Sequence, residues 1–203
     1  MKNIPNILSF IRLFLAPVFL VLYIQDEVVW RALSIAVFAV AVFTDFIDGY
    51  IARLYQAQSS TGVFLDPLAD KILTFAGFIC LPFIDPQQFP WWAVGTIIVR
   101  DIVVTCMRVV ADYRSIPMKT RYIAKVKTMS QMLFLYLVLM TGVFIGADVW
   151  LSAYADQLIE NGILSWLMLA IVVLTVYSGL EYIYLNKKIF TISKDVKAKT
   201  DYR

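Results

Sequence analysis

The chain contains no histidine, only two cysteines and few charged side chains for its 203 residues. Without histidine, it cannot use a histidine general base, a histidine-containing triad or a histidine–zinc site. Cys80 and Cys106 both fall in apolar stretches, where they provide neither a disulfide framework nor a thiolate metal site. Any acid–base or metal chemistry therefore falls mainly to carboxylates.

Charge is scarce along the whole chain: charged residues make up 16% and hydrophobic residues 61%. Soluble globular domains carry about 25% charged residues, so this composition indicates an integral membrane protein. Apolar runs recur at close to the roughly 20 residues that a membrane-spanning helix needs. The sequence predicts an all-α fold with six transmembrane helices in a single domain, residues 1–203. The helices are expected at about 7–24, 30–52, 67–84, 91–112, 123–146 and 163–186.

A removable signal peptide is the competing interpretation of residues 1–24, with Lys2 and Arg12 as its basic residues. Such a peptide ends at a cleavage site between small residues. The residues that follow, 25–27, are polar and acidic, so we favour a retained first helix.

Basic residues are distributed unevenly between the predicted connections. The connections 25–30, 85–90 and 147–162 contain acidic residues and no Lys or Arg. The other connections and both termini carry Lys and Arg, which concentrate on the cytoplasmic side of membrane proteins. We therefore expect a multi-pass protein of the cytoplasmic (inner) cell membrane, with its basic side near anionic lipid headgroups. Nothing in the pattern indicates nucleic-acid binding.

Four aspartates, Asp45, Asp48, Asp66 and Asp70, lie among apolar segments. Residues three or four apart share one face of a helix, so each pair points to one side. Charge near hydrocarbon is costly and usually marks a functional site. Oxygen ligands without His or Cys favour hard cations such as Mg²⁺ or Mn²⁺, and four carboxylates can bridge two of them. In the alternative interpretation these acids pair with basic residues, namely Arg53, Lys71 or Arg100, and only hold helices together.

Small residues accompany the aspartates. Gly49 lies four residues after Asp45, Gly62 lies four before Asp66, and Ala52 follows on α-helical spacing. Missing side chains allow a bulky ligand to approach the backbone closely, although small residues also serve close helix packing. Arg53 follows at the cytoplasmic edge, where a guanidinium can bind a phosphate oxygen or act as an ordinary flanking charge.

The segment from Asp45 to Asp70 reads Asp-x2-Asp-Gly-x2-Ala-Arg-x8-Gly-x3-Asp-x3-Asp. It resembles the signature of the CDP-alcohol phosphotransferase family at every fixed position. The resemblance implies a six-helix membrane enzyme, commonly a homodimer, in which an acceptor hydroxyl displaces CMP from a CDP-linked donor. It implies that two divalent cations are held by Asp45, Asp48, Asp66 and Asp70. Asp70 would also be the catalytic base, and the CDP moiety would lie against Gly49, Ala52, Arg53 and Gly62.

Stretches outside this motif resemble the bacterial members of the family that use glycerol 3-phosphate. They are 3–12, Arg100-Asp101-Ile102 with Arg108, 125–131 and 178–182. The implied reaction transfers a phosphatidyl group from CDP-diacylglycerol to sn-glycerol 3-phosphate and releases CMP. The acceptor phosphate would be bound by Arg108, Lys125 and Lys127. Asp101 replaces the usual Glu of these relatives, and Arg100 is expected to pair with Asp101 or another intramembrane acid, or to join the pocket.

Three other interpretations stay open. The same chemistry could use another acceptor, namely inositol phosphate, serine or phosphatidylglycerol. Buried acids also line ion paths, so a cation transporter is an alternative from a different class. The third, a structural membrane scaffold, does not explain the spacing of the acidic residues.

Overall fold

The computed structural model describes residues 4–55, 62–113, 122–145, 147 and 150–186. Within the helices, the side chains of 4–9, 45–55, 62–70, 122, 124 and 125 are outside the description. The described residues form helices α1 (Ile4–Tyr23), α2 (Val28–Tyr55), α3 (Gly62–Ile84), α4 (Trp91–Tyr113), α5 (Tyr122–Phe144), α6 (Ser152–Glu160) and α7 (Ile163–Leu185). This part of the chain contains no strand, which confirms the all-α prediction.

Each of the six predicted spans corresponds to a helix, and two details differ. Helix α3 begins at Gly62 rather than at residue 67, so Asp66 lies inside it. The connection 147–162, for which no helix was predicted, contains the nine-residue helix α6. Nine residues are too short to span a membrane. Within α6, only Ala155 is buried.

Two segments of the described chain, Val126–Phe144 and Ile163–Leu185, are long and apolar enough to cross a membrane. Shorter apolar stretches lie in three more helices, at Phe10–Tyr23, Val28–Thr44 and Lys71–Ile84. Helix α4 contains Arg100 and Asp101 near its middle, which interrupt its apolar run. These findings agree with a membrane protein, while the number of spans stays a prediction.

The core joins two groups of helices. Helix α1 packs against α2 and α3, α7 packs against α4 and α5, and α3 also contacts α4 and α5. Aromatic rings link the groups: Phe19 lies 4.9 Å from Phe38, and Phe38 lies 5.5 Å from Tyr136, between ring centroids. Buried aromatic pairs stabilise such contacts beyond the area that they bury.

The three acidic connections lie at one end of the bundle, where hydrogen bonds link them to neighbouring elements. The Gln88 side-chain amide donates to the Ile159 carbonyl at 2.6 Å, which joins the connection 85–90 to α6. Arg31 donates to the carbonyl of Gln25 at 3.0 Å and to that of Gly142, near the end of α5, at 3.4 Å. The sequence pattern had grouped these connections on one side, and the structure agrees.

The carboxyl-terminal part of α2 and the beginning of α3 therefore lie toward the opposite end. This is the end at which the acidic motif was expected. Both cysteines are free, with Cys80 buried in α3 and Cys106 exposed on α4.

Candidate active site

Helices α2 and α3 carry the whole acidic motif on their backbones. Asp45 and Asp48 belong to α2, while Asp66 and Asp70 belong to α3. At about 100° per residue, each pair occupies one face of its helix. The side chains of all four lie outside the described residues, as do those of Ala52 and Arg53 and the surroundings of Gly49 and Gly62. As a donor set, four carboxylates without His or Cys fit hard divalent cations.

A cluster of charged side chains is centred on Asp101 of α4, and one of its members directly follows the acidic motif in the chain. The Asp101 carboxylate is only 2% exposed. Oδ1 accepts hydrogen bonds from the Arg100 guanidinium at 2.9 Å and from the Lys127 ammonium group. Oδ2 lies 3.4 Å from Nζ of Lys71, the residue that follows Asp70 in the chain. One carboxylate thus holds three cations from α3, α4 and α5. We refer to these four residues as the Asp101 cluster.

Arg100 extends the Asp101 cluster to α7. Its second terminal nitrogen donates to the Ser178 hydroxyl at 2.9 Å, and that hydroxyl donates to the Thr175 carbonyl at 3.0 Å. Gly179 makes the approach possible, because a Cβ there would lie 2.9 Å from Cγ of Arg100. Charge-assisted hydrogen bonds therefore connect four helices through one buried site.

A partly open cavity of about 200 Å³ lies beside the motif. Its lining comes from α1, α2, α3 and α5 and includes Arg12, Val42, Leu73, Thr74 and Tyr136. Val42 is three residues before Asp45, and Leu73 is three after Asp70. The cavity therefore reaches the parts of α2 and α3 where the acidic positions begin and end.

The three residues expected to bind an acceptor phosphate occupy different environments. Lys127 has a side chain that is 1% exposed and bonded to Asp101. Arg108 is exposed, and it lies seven residues after Asp101, close to the same face of α4. The side chain of Lys125 lies outside the described residues, and its position is about 200° from Lys127 around α5.

Of the alternatives left open for Arg100, the structure shows the pairing with Asp101. In the alternative interpretation, Lys71 and Arg100 were possible partners of the acidic motif, and in the structure both contact Asp101. Sequence reasoning did not place Lys71 or Ser178 in the site. The signal for Lys71 was its position next to Asp70, a basic residue inside an otherwise apolar stretch.

Comparison with known proteins defines the class. A family model described as CDP-alcohol phosphatidyltransferase matches residues 2–177, and the chain belongs to that family of enzymes.

The relatives found by sequence comparison carry a more specific enzyme name than the family. A Rickettsia typhi protein named CDP-diacylglycerol–glycerol-3-phosphate 3-phosphatidyltransferase is 30% identical over 178 residues, which cover 88% of this chain and 95% of that protein. Proteins with the same name from Escherichia coli strain K12 and Shigella boydii serotype 4 are each 34% identical over 139 residues. These cover 66% of this chain and 74% of each relative.

Proposed function

We propose that this protein transfers a phosphatidyl group from CDP-diacylglycerol to sn-glycerol 3-phosphate, with phosphatidylglycerophosphate and CMP as products. The observation that carries the proposal is the family match over residues 2–177, together with relatives that are named for this reaction. The acidic motif supports it, because its two halves fall on helices α2 and α3 at spacings that give each pair a common face.

The enzyme acts as a multi-pass protein of the cytoplasmic membrane, with six spanning helices in one domain and the acidic motif on the cytoplasmic side. Gathering of the three acidic connections at the other end of the bundle supports this orientation. A site at headgroup depth allows the lipid donor to stay in its leaflet while the soluble acceptor enters from the cytoplasm. The working unit is a homodimer, as the family resemblance implies.

Asp45, Asp48, Asp66 and Asp70 would hold two divalent cations, Mg²⁺ or Mn²⁺. When bound, these would supply positive charge to offset that of the pyrophosphate and of the CMP leaving group. Gly49, Ala52 and Gly62 leave room for the CDP moiety beside the carboxylates, and Arg53 binds a phosphate oxygen.

Asp70 accepts the proton from the attacking hydroxyl of the acceptor. The acceptor oxygen bonds to the phosphorus that carries the diacylglycerol, and the bond from that phosphorus to the CMP oxygen breaks. A general base must lie within hydrogen-bond reach of the proton that it removes. The reaction requires limited access of water, because water could take the place of the acceptor and hydrolyse the donor.

Cationic side chains beside the motif bind the phosphate of the acceptor. Arg108, Lys125 and Lys127 are the residues that we assign to this role. Lys127 is buried against Asp101 next to Lys71, which directly follows Asp70, and this places its positive charge beside the acidic motif. Exposure of Arg108 near the same face of α4 supports a second contact closer to the mouth of the site.

The decisive experiment measures CMP release by the purified protein with CDP-diacylglycerol and a panel of acceptors. We expect the highest turnover with glycerol 3-phosphate, and no turnover once EDTA removes divalent cations. A clear preference for inositol phosphate, serine or phosphatidylglycerol would keep the chemistry and overturn the acceptor. Cation flux into proteoliposomes without any CMP release would point instead to a transporter.

A further inference from the structure

The geometry points to Asp101 as a positioning residue for acceptor binding. It fixes Lys71 and Lys127 beside the acidic motif, so that their charges meet the phosphate of the acceptor. The inference rests on the proposed function and deepens it, because it adds Lys71 to the phosphate site and gives Asp101 a role. Asp101 itself touches neither substrate.

Charge balance within the Asp101 cluster is the first argument. Three cations surround one carboxylate, so the described side chains leave a surplus of two positive charges. Unbalanced charge in a poorly hydrated interior is costly. A phosphate monoester carries a charge between about −1.5 and −2 at neutral pH. A ligand of that kind is opposite in sign to this surplus.

The geometry of the contacts is the second argument. Lys71 bonds to Oδ2 of Asp101, whereas Lys127 and Arg100 bond to Oδ1, so the two lysines use different oxygens of one carboxylate. An ammonium group has three donors, and one bond to Asp101 leaves two. Without Asp101, both flexible side chains would have to be ordered by the ligand itself.

Exposure separates the roles of the three cations. Lys71 has a quarter of its side chain exposed, and it follows Asp70 directly in the chain. It can reach a ligand while it is bonded to Asp101. Lys127 is 1% exposed, so it contributes its positive charge from a buried position. Arg100 is 13% exposed, and its second terminal nitrogen is used by Ser178, so it anchors the Asp101 cluster to α7.

Asp101→Asn keeps the size of the side chain and removes its charge. We expect the KM for glycerol 3-phosphate to rise by about 10- to 100-fold, the range for loss of a charged hydrogen bond. The KM for CDP-diacylglycerol should stay within about twofold. Asp101→Glu, which retains the carboxylate, should recover most of the affinity. Equal changes in both KM values, or an Asp101→Glu variant as impaired as Asp101→Asn, would overturn the inference.

Asp112→Asn is the matched control, because Asp112 is an exposed aspartate on the same helix. It should leave both KM values unchanged. A double-mutant comparison then asks whether Asp101 acts through Lys71. In Lys71→Gln/Asp101→Asn, the rise in KM should be smaller than the product of the two single effects. Independent effects that multiply would contradict positioning.

Two further measurements test the inference if Asp101→Asn does not fold or if the wild type does not use glycerol 3-phosphate. If Asp101→Asn does not fold, Lys71→Gln alone should raise the acceptor KM while Lys71→Arg preserves it, and an unchanged KM in Lys71→Gln would reject the role. Inorganic phosphate should raise the thermal unfolding temperature of the wild type more than that of Lys71→Gln or Asp101→Asn. If the wild type does not use glycerol 3-phosphate, the proposed function fails, and this phosphate-binding measurement still decides the inference.

Discussion

Gly179 of α7 lies directly against the side chain of Arg100 of α4. A Cβ at Gly179 would be 2.9 Å from Cγ and 3.2 Å from Nε of Arg100. The two helices approach closely at this point, and the approach allows Arg100 to reach the Ser178 hydroxyl at 2.9 Å. The absence of a side chain at Gly179 therefore allows the hydrogen bond between Arg100 and Ser178.

Gly179→Ala should displace Arg100 and weaken its bond to Ser178. We expect a loss of about 1–3 kcal/mol in the free energy of unfolding, as for other overpacked positions. The measurement is thermal or denaturant unfolding in detergent. Gly95→Ala is the control, because a Cβ there meets nothing within 4 Å. It should be neutral or slightly stabilising, since Ala favours helix over Gly. Equal losses in both variants would contradict the argument.

The Tyr23 hydroxyl donates a hydrogen bond of 2.9 Å to the Leu139 carbonyl, which ties α1 to α5 inside the core. Tyr23→Phe should lower the free energy of unfolding by about 1 kcal/mol, the usual contribution of a single hydrogen bond. Turnover should change little at temperatures well below the transition. Tyr177→Phe removes the hydroxyl of an exposed tyrosine on α7 and should have no effect on unfolding.

Asp70→Asn should abolish CMP release while CDP binding is largely retained. An amide cannot accept the proton of the attacking hydroxyl at neutral pH, whereas the space for the nucleotide is preserved. Steady-state turnover and CDP binding by calorimetry measure the two effects separately. Asp156→Asn, at an exposed position on α6, should behave like the wild type. Normal rates in Asp70→Asn would remove this residue from the chemistry.

Removal of divalent cations provides an independent test of the acidic motif. EDTA should stop CMP release, and Mg²⁺ should restore it. Asp45→Ala and Asp66→Ala each remove one carboxylate ligand, so both variants should need a higher Mg²⁺ concentration for half-maximal rate. Turnover that persists in EDTA, or an unchanged Mg²⁺ requirement in both variants, would show that these carboxylates do not hold the cations.

Most of the helices could be predicted from the sequence because their apolar runs are long. Spans such as 91–112 and 163–186 agree with α4 and α7 to within one residue. Helix α6 could not be predicted in this way. It has only nine residues, too few to appear as a run of membrane-spanning length, and it is held partly by a residue distant in the chain, through the bond from Gln88 to the Ile159 carbonyl.

The acidic motif was predictable because its spacing is regular and local, and both halves do fall on helices. The Asp101 cluster is different. Asp101 lies 30 residues after Lys71 and 26 before Lys127, and only the packing of α3, α4 and α5 brings the three together. From the sequence, Lys127 was assigned together with Arg108 and Lys125 to the acceptor phosphate, with no indication of a buried partner. Burial of its ammonium group against Asp101 depends on tertiary packing.

The contrast between the two thiols has a practical consequence. Cys80 is buried, whereas Cys106 is exposed five residues after Asp101 on the same helix. A maleimide spin label or fluorophore added to the native protein should therefore attach at one position without cysteine engineering. The attached probe would report, by spectroscopy, whether the surroundings of α4 change when donor and acceptor bind.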